Sequence, residues 1–150
     1  MLPLKQLAHS FCKKYIQKRT ERIHSEIEKI NESLQSETKS TAGDKHETGR
    51  AMLQLEREKL GNQLYEVEKA AIALKKIALE RESNRVVLGS LVKTDRAMYF
   101  ISISAGKLEV GDEAIYCISS STPMGQLLLG KMKGETFIFN GTNATIRQIE

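Results

Sequence analysis

From Leu4 to Leu34 the chain contains no proline or glycine, and Ile16, Ile23, Ile27, Ile30 and Leu34 recur with the three-four spacing of a coiled-coil seam. Upstream the seam shifts phase, through Leu4, Leu7, Phe11 and Tyr15. A second run begins near Gly49, with seam positions at Leu53, Arg57, Leu60, Leu64, Val67, Ala71, Leu74 and Ala78, of which Arg57 alone is charged. Each predicted helix would span on the order of 50 Å at 1.5 Å per residue. A single narrow apolar face on a helix of that length has to be covered, so the two runs should pair. Between them SETKSTAGDKHETG supplies about a dozen polar residues with two glycines, which suits a chain reversal. Residues 1–82 are therefore expected to form an N-terminal antiparallel two-helix coiled-coil hairpin with a polar tip near 37–49.

The remainder is a different kind of sequence. Residues 1–82 hold 16 basic and 13 acidic side chains against 7 and 6 in 83–150, and five of the eight aromatic residues fall in the second part. After Asn84 the periodicity becomes extended: strands are predicted over 86–92, 97–104 and 114–119. Residues 137–140, an Asn140-Gly141 turn and 144–149 read as a terminal hairpin. Before it, Ser120, Ser121 or Thr122 can cap a short helix that starts at Pro123 and carries Leu127, Leu128 and Leu129. Residues 83–150 thus predict a small antiparallel β domain with one short helix, and the whole chain an α+β protein.

Several function classes are excluded or disfavoured. With 40% hydrophobic and 28% charged residues the chain is neither collagen-like nor a disordered tail. No window approaches the roughly 20 apolar residues of a membrane helix, and the opening has no signal-peptide core, so the expectation is a cytoplasmic protein with no membrane partner. Cys12 and Cys117 lie one in each half, without the spacing of a zinc site or a redox motif, and are expected to be reduced, buried or half-buried thiols. Gly125 to Lys131 imitates the spacing of a phosphate-binding loop. However, Met132 stands where a Ser or Thr would hold magnesium, and leucines fill the interval. His9, His24 and His46 all lie in the helical half, which leaves no catalytic triad to assemble.

Two clusters have chemistry to offer. Asp44 and Glu47, three apart at the start of a helix, can present two carboxylates on one side of its first turn. The same Asp-x-x-Glu is a capping box, with Asp44 accepting from first-turn amides and Glu47 reaching back, and the two roles can coexist. Lys14, Lys18 and Arg22 recur every four residues as a basic stripe, with Lys13 and Arg19 adjacent. Such a stripe is either a solvated helix face or a salt-sensitive contact with RNA or an acidic surface.

A helical hairpin with an acidic tip followed by a small β domain resembles the bacterial Gre family of transcript-cleavage factors. The best-matched segment is Ser121-Thr-Pro-Met-Gly-Gln-Leu-Leu-Leu-Gly-Lys-Met-Lys-Gly-Glu135, similar to the family's Ser-Pro-x-x-x-x-Leu-Leu-Gly-Lys-x-x-Gly-Asp. At the tip Gly43-Asp44-x-x-Glu47 matches the family's Gly-Asp-x-x-Glu, and the final Ile-Arg-Gln-Ile-Glu resembles its ending. The resemblance implies an FKBP-like β domain that docks on bacterial RNA polymerase, with Ser121, Thr122, Pro123 and Met124 as docking candidates. It also implies a hairpin that enters the secondary channel as a monomer and acts at the nascent RNA 3′ end. There Asp44 and Glu47 would help hold a catalytic magnesium shared with the polymerase, which remains the enzyme; no cofactor is expected on the chain alone.

This sequence departs from the family after the acidic pair, where Thr48-Gly49-Arg50-Ala51 replaces the usual Asn-Ala-Glu-Tyr and a basic residue takes an acidic position. A regulator that occupies the channel without stimulating cleavage is therefore a second expectation. A prolyl isomerase would need an aromatic-lined pocket, for which the five aromatics of the β half leave little once its core is filled. A coiled-coil protein that dimerises through its arms is a further alternative.

Overall fold

The computed structural model describes residues 2–39 and 44–150, with side chains from 2–37 and from 47 onward. Element order is α1 (Leu4–Lys39), α2 (Asp44–Lys75), β1 (Leu91–Thr94), β2 (Met98–Ser102), β3 (Gly106–Val110), β4 (Glu113–Ser119), α3 (Pro123–Leu128), β5 (Thr136–Phe139) and β6 (Thr142–Ile149). A long helical hairpin is followed by a β domain with one short helix, as the sequence predicts, and its sheet has six strands, one more than expected. Packing divides the chain into two compact units, residues 16–70 and residues 1–15 with 71–150.

In the unit of residues 16–70 the seam is the expected one. Ile23, Ile30, Leu60 and Val67 are buried, with Ile16, Ile27, Leu34, Leu53 and Leu64 packed against them. The helices extend further into the polar segment than the sequence suggests, leaving only residues 40–43 between them. Nothing in that segment forbids helix outright, because it lacks proline and an interior glycine costs only about 1 kcal/mol relative to alanine. At Gly49 a β-carbon would stand 3.6 Å from the Glu37 carboxylate, ordinary van der Waals contact, so the packing of α1 on α2 does not itself demand a glycine there. At its other end α2 stops at Lys75, earlier than the predicted seam. Lys76 N–H donates to Ala73 O and Ile77 N–H to Leu74 O, both at 3.2 Å, in tightened i to i+3 bonds, and Ala78 is exposed.

In the other unit the strand order is β3-β4-β2-β1-β6-β5. One pair, β2 with β4, is parallel, a departure from the all-antiparallel expectation. It arises because β3, which the sequence did not reveal, forms a hairpin with β4 on the far side and returns β4 alongside β2. The first predicted strand also starts late: an isolated bridge sets Arg85 opposite Met132, residues 86–90 belong to no strand, and β1 begins at Leu91. Here Gly89 takes φ 93°, and the Ile77 side chain occupies the space a β-carbon would need, at 2.9 Å. The strand is thus displaced by a turn only glycine fits.

One face of the sheet buries Val92, Ile101, Phe137, Ala144 and Ile146 together with Val86 and with Leu128 of α3. The alternate residues Leu91, Phe100, Ile115 and Cys117 are also buried. In the same unit the buried positions of α1 are Ala8 and Cys12. These small residues replace the larger Leu7 and Phe11 of the predicted phase. Asn140 (φ 50°) and Gly141 (φ 75°) make the tight turn of the terminal hairpin, with both central residues in the left-handed region as a type I′ turn requires.

Candidate functional site

The helical tip is built by the seam and by two arginines. Arg50, half-buried, donates from its guanidinium to the Leu34 carbonyl at 3.1 Å, and Arg57 Nε donates to Asn31 Oδ1 at 2.9 Å. Both bonds run from α2 to α1, so the basic residue that breaks the family pattern is engaged along the seam. The first turn of α2 carries Asp44 and Glu47 three residues apart. Glu47 is exposed, whereas residues 40–43 and the Asp44 side chain lie outside the described residues. The carboxylate pair therefore has its helical spacing, and its capping and metal-holding roles both rest on the sequence.

The docking candidates fall on two kinds of position. Thr122 is the cap of α3: its Oγ1 accepts from Gly125 N–H at 3.1 Å and donates to Ser119 O at 2.8 Å. Of the three residues offered as caps, Thr122 is the one used, and its side chain is committed to the turn. Ser121 is exposed, with Oγ 2.7 Å from that of Ser119, and Pro123 is exposed at the first turn of the helix. Met124 is half-buried and packs on the core beside Tyr99, Ile118 and Leu127. Gly125 permits the tight approach, because a β-carbon there would stand 2.3 Å from Ser119 O. The apparent phosphate loop is this helix and the turn after it, with Gly130 (φ 82°) and Gly134 (φ 90°) in left-handed conformations.

Lys14, Lys18 and Arg22 are exposed on α1. His9 is half-buried; burial lowers its pKa from the ordinary 6.5, while a hydrogen bond to the Leu74 backbone opposes that shift. A shallow groove by Leu127 and Ile138 has one aromatic, Phe137, in its wall, which is not the aromatic-lined pocket of a prolyl isomerase. Among the described residues no group of three or more His, Cys, Asp or Glu side chains converges to hold a metal, and no helix is long and apolar enough to cross a membrane.

Sequence spacing missed one pair. Cys12 and Cys117, read as separate thiols of the two halves, are brought together: both are buried, and each shifts the other's thiol pKa, Cys12 downward and Cys117 upward. Cys12 Sγ also lies 3.4 Å from Ser102 Oγ. Only the fold, which sets α1 against β2 and β4, could have revealed it.

No family model and no curated protein matches the sequence. Among solved structures, one described as "Structure of the transcription factor Gfh1" aligns over 89% of this chain and 88% of its own, at 19% identity and a TM-score of 0.36. At that score the likeness transfers neither fold nor function.

Proposed function

We propose that this chain is a Gre-like transcription factor whose helical hairpin enters the secondary channel of bacterial RNA polymerase and promotes cleavage of backtracked RNA. The observation that carries the reading is the exposed Glu47, one helical turn after Asp44 at the start of α2. A paired hairpin is a suitable carrier, since it holds its acidic turn on two mutually supported helices. Magnesium keeps several waters and takes few protein ligands, so one or two carboxylates offered from outside can complete its shell and orient the attacking water. On this reading the polymerase supplies the active centre, the factor binds no cofactor alone, and Ser121 and Pro123 are the exposed part of the docking segment.

The test is RNA cleavage in stalled, backtracked complexes, comparing the wild type with Asp44→Asn and Glu47→Gln while polymerase binding is followed in parallel. Stimulation by the wild type, lost in both variants with binding retained, is the expected result. Binding with no stimulation by the wild type would instead identify a channel-occupying regulator. Docking is tested by Ser121→Glu, which changes an exposed position; retained binding would refute the docking assignment. Met124 is a poorer probe, because a charge there would also disturb the core it packs on.

A further inference from the structure

Cys12 and Cys117 are used by neither the tip nor the docking segment, yet both are buried with a polar neighbour. Cys12 is 0% and Cys117 2% exposed, and Ser102, 3% exposed, completes the cluster. Strand register places them independently of any titration behaviour. Phe100 pairs with Cys117 and Ser102 with Ser119 in the parallel ladder, so Cys117 and Ser102 share one face of the sheet as diagonal neighbours. Cys12 Sγ, from α1, sits 3.4 Å from the Ser102 hydroxyl on that face. Both thiols are free.

We propose that Cys12 and Cys117 are a peroxide-responsive pair that closes to an intramolecular disulfide and thereby ties α1 to β4. The Cys12 sulfur is the first nucleophile. The Ser102 hydroxyl, 3.4 Å from Cys12 Sγ, can donate to its thiolate; in the same direction Cys117 and then Ser102 lower the Cys12 pKa against burial, while Cys12 and burial raise that of Cys117. The Cys12 thiolate attacks one peroxide oxygen, the O–O bond breaks, and hydroxide leaves, giving a sulfenic acid at Cys12. The Cys117 sulfur then attacks the Cys12 sulfur, the S–O bond breaks, and the hydroxyl departs with the Cys117 proton as water. Two thiols and one hydrogen peroxide thus yield one disulfide and two waters. A thiol such as dithiothreitol reverses the bond.

The full-length protein is treated with hydrogen peroxide under native conditions, quenched with a maleimide in denaturant, and examined by intact mass and non-reducing peptide mapping. The expected product is a monomer that has lost two hydrogens, contains a linked Cys12–Cys117 peptide, takes up no maleimide and returns to two free thiols with dithiothreitol. Its thermal midpoint should rise on oxidation, because a cross-link spanning about a hundred residues restricts the unfolded chain. That rise should be absent in Cys12→Ala and Cys117→Ala. The peptide map of the wild type decides the matter even if either variant fails to fold. Two maleimide-reactive thiols after treatment, a sulfinic acid at either residue, or a disulfide between chains would each overturn the proposal.

Discussion

The two compact units solve burial in opposite ways. Residues 16–70 bury four large side chains in a single layer along a seam, with partly buried apolar side chains packed against them. The sheet unit buries both faces, so Val92 and Ile101 point one way while Leu91 and Phe100 point the other. A one-layer seam is easily read and easily slipped, which gives the polar bonds of Arg50 and Arg57 to α1 their value as register marks. A two-sided sheet has many more neighbours per residue to hold register, but less tolerance of any change in volume.

The largest effect that separates the units is expected for Phe100→Ala, which should cost about 3–5 kcal/mol and shift urea unfolding followed by tyrosine near-ultraviolet dichroism. Ile23→Ala in the seam should fall near the lower end for such truncations, about 2–3 kcal/mol, because exposed neighbours can close around the gap. An equal cost at the two sites would break the contrast. Gly125→Ala should cost about 1–3 kcal/mol by forcing α3 away from Ser119 O, and heat denaturation of the purified variant checks it. Arg57→Ala should lose only about 0.5–1 kcal/mol, since its bond to Asn31 is exposed; a double-mutant cycle with Asn31→Ala should show that the two losses are not additive.

The smallest effect concerns His9. Its folded pKa is lowered from 6.5 by burial, so the neutral ring is the form the fold prefers. Stability from this group is present above the unfolded pKa and is lost as pH falls through the folded value. His9→Gln should flatten that shallow acid slope in thermal midpoints measured from pH 8 to roughly pH 5, a range set by the ordinary histidine titration. An unchanged slope would assign it to other groups.

What the sequence made legible was whatever repeats or carries local turn chemistry. Seven-residue recurrence identified both helices, Thr122-Pro123 the start of α3, and Asn140-Gly141 the last hairpin. Hidden were features set by distant partners. The segment Gly106–Val110 is a strand because β4 pairs with it, not because its composition demands one, and residues 86–90 lose their ladder to the turn at Gly89. At the candidate site, the Asp44 and Glu47 spacing was visible and the engagement of Arg50 was not, since it depends on where α1 lies. The meeting of Cys12 with Cys117 was hidden for the same reason.

The interior pairing of β1 with β6 sets a timetable for synthesis. Leu91 and Glu150 exchange both backbone hydrogen bonds at 2.9 Å, and Val92 sits opposite Ile149. As the chain leaves the ribosome, the seam residues of α1 and α2 emerge close enough in sequence to pair at once, and β2 follows β1 directly, whereas the other edge of β1 waits for β6, more than about fifty residues downstream. During that interval the open edge of β1, with Leu91 and Val92 not yet covered, is the segment a nascent-chain chaperone would be expected to hold.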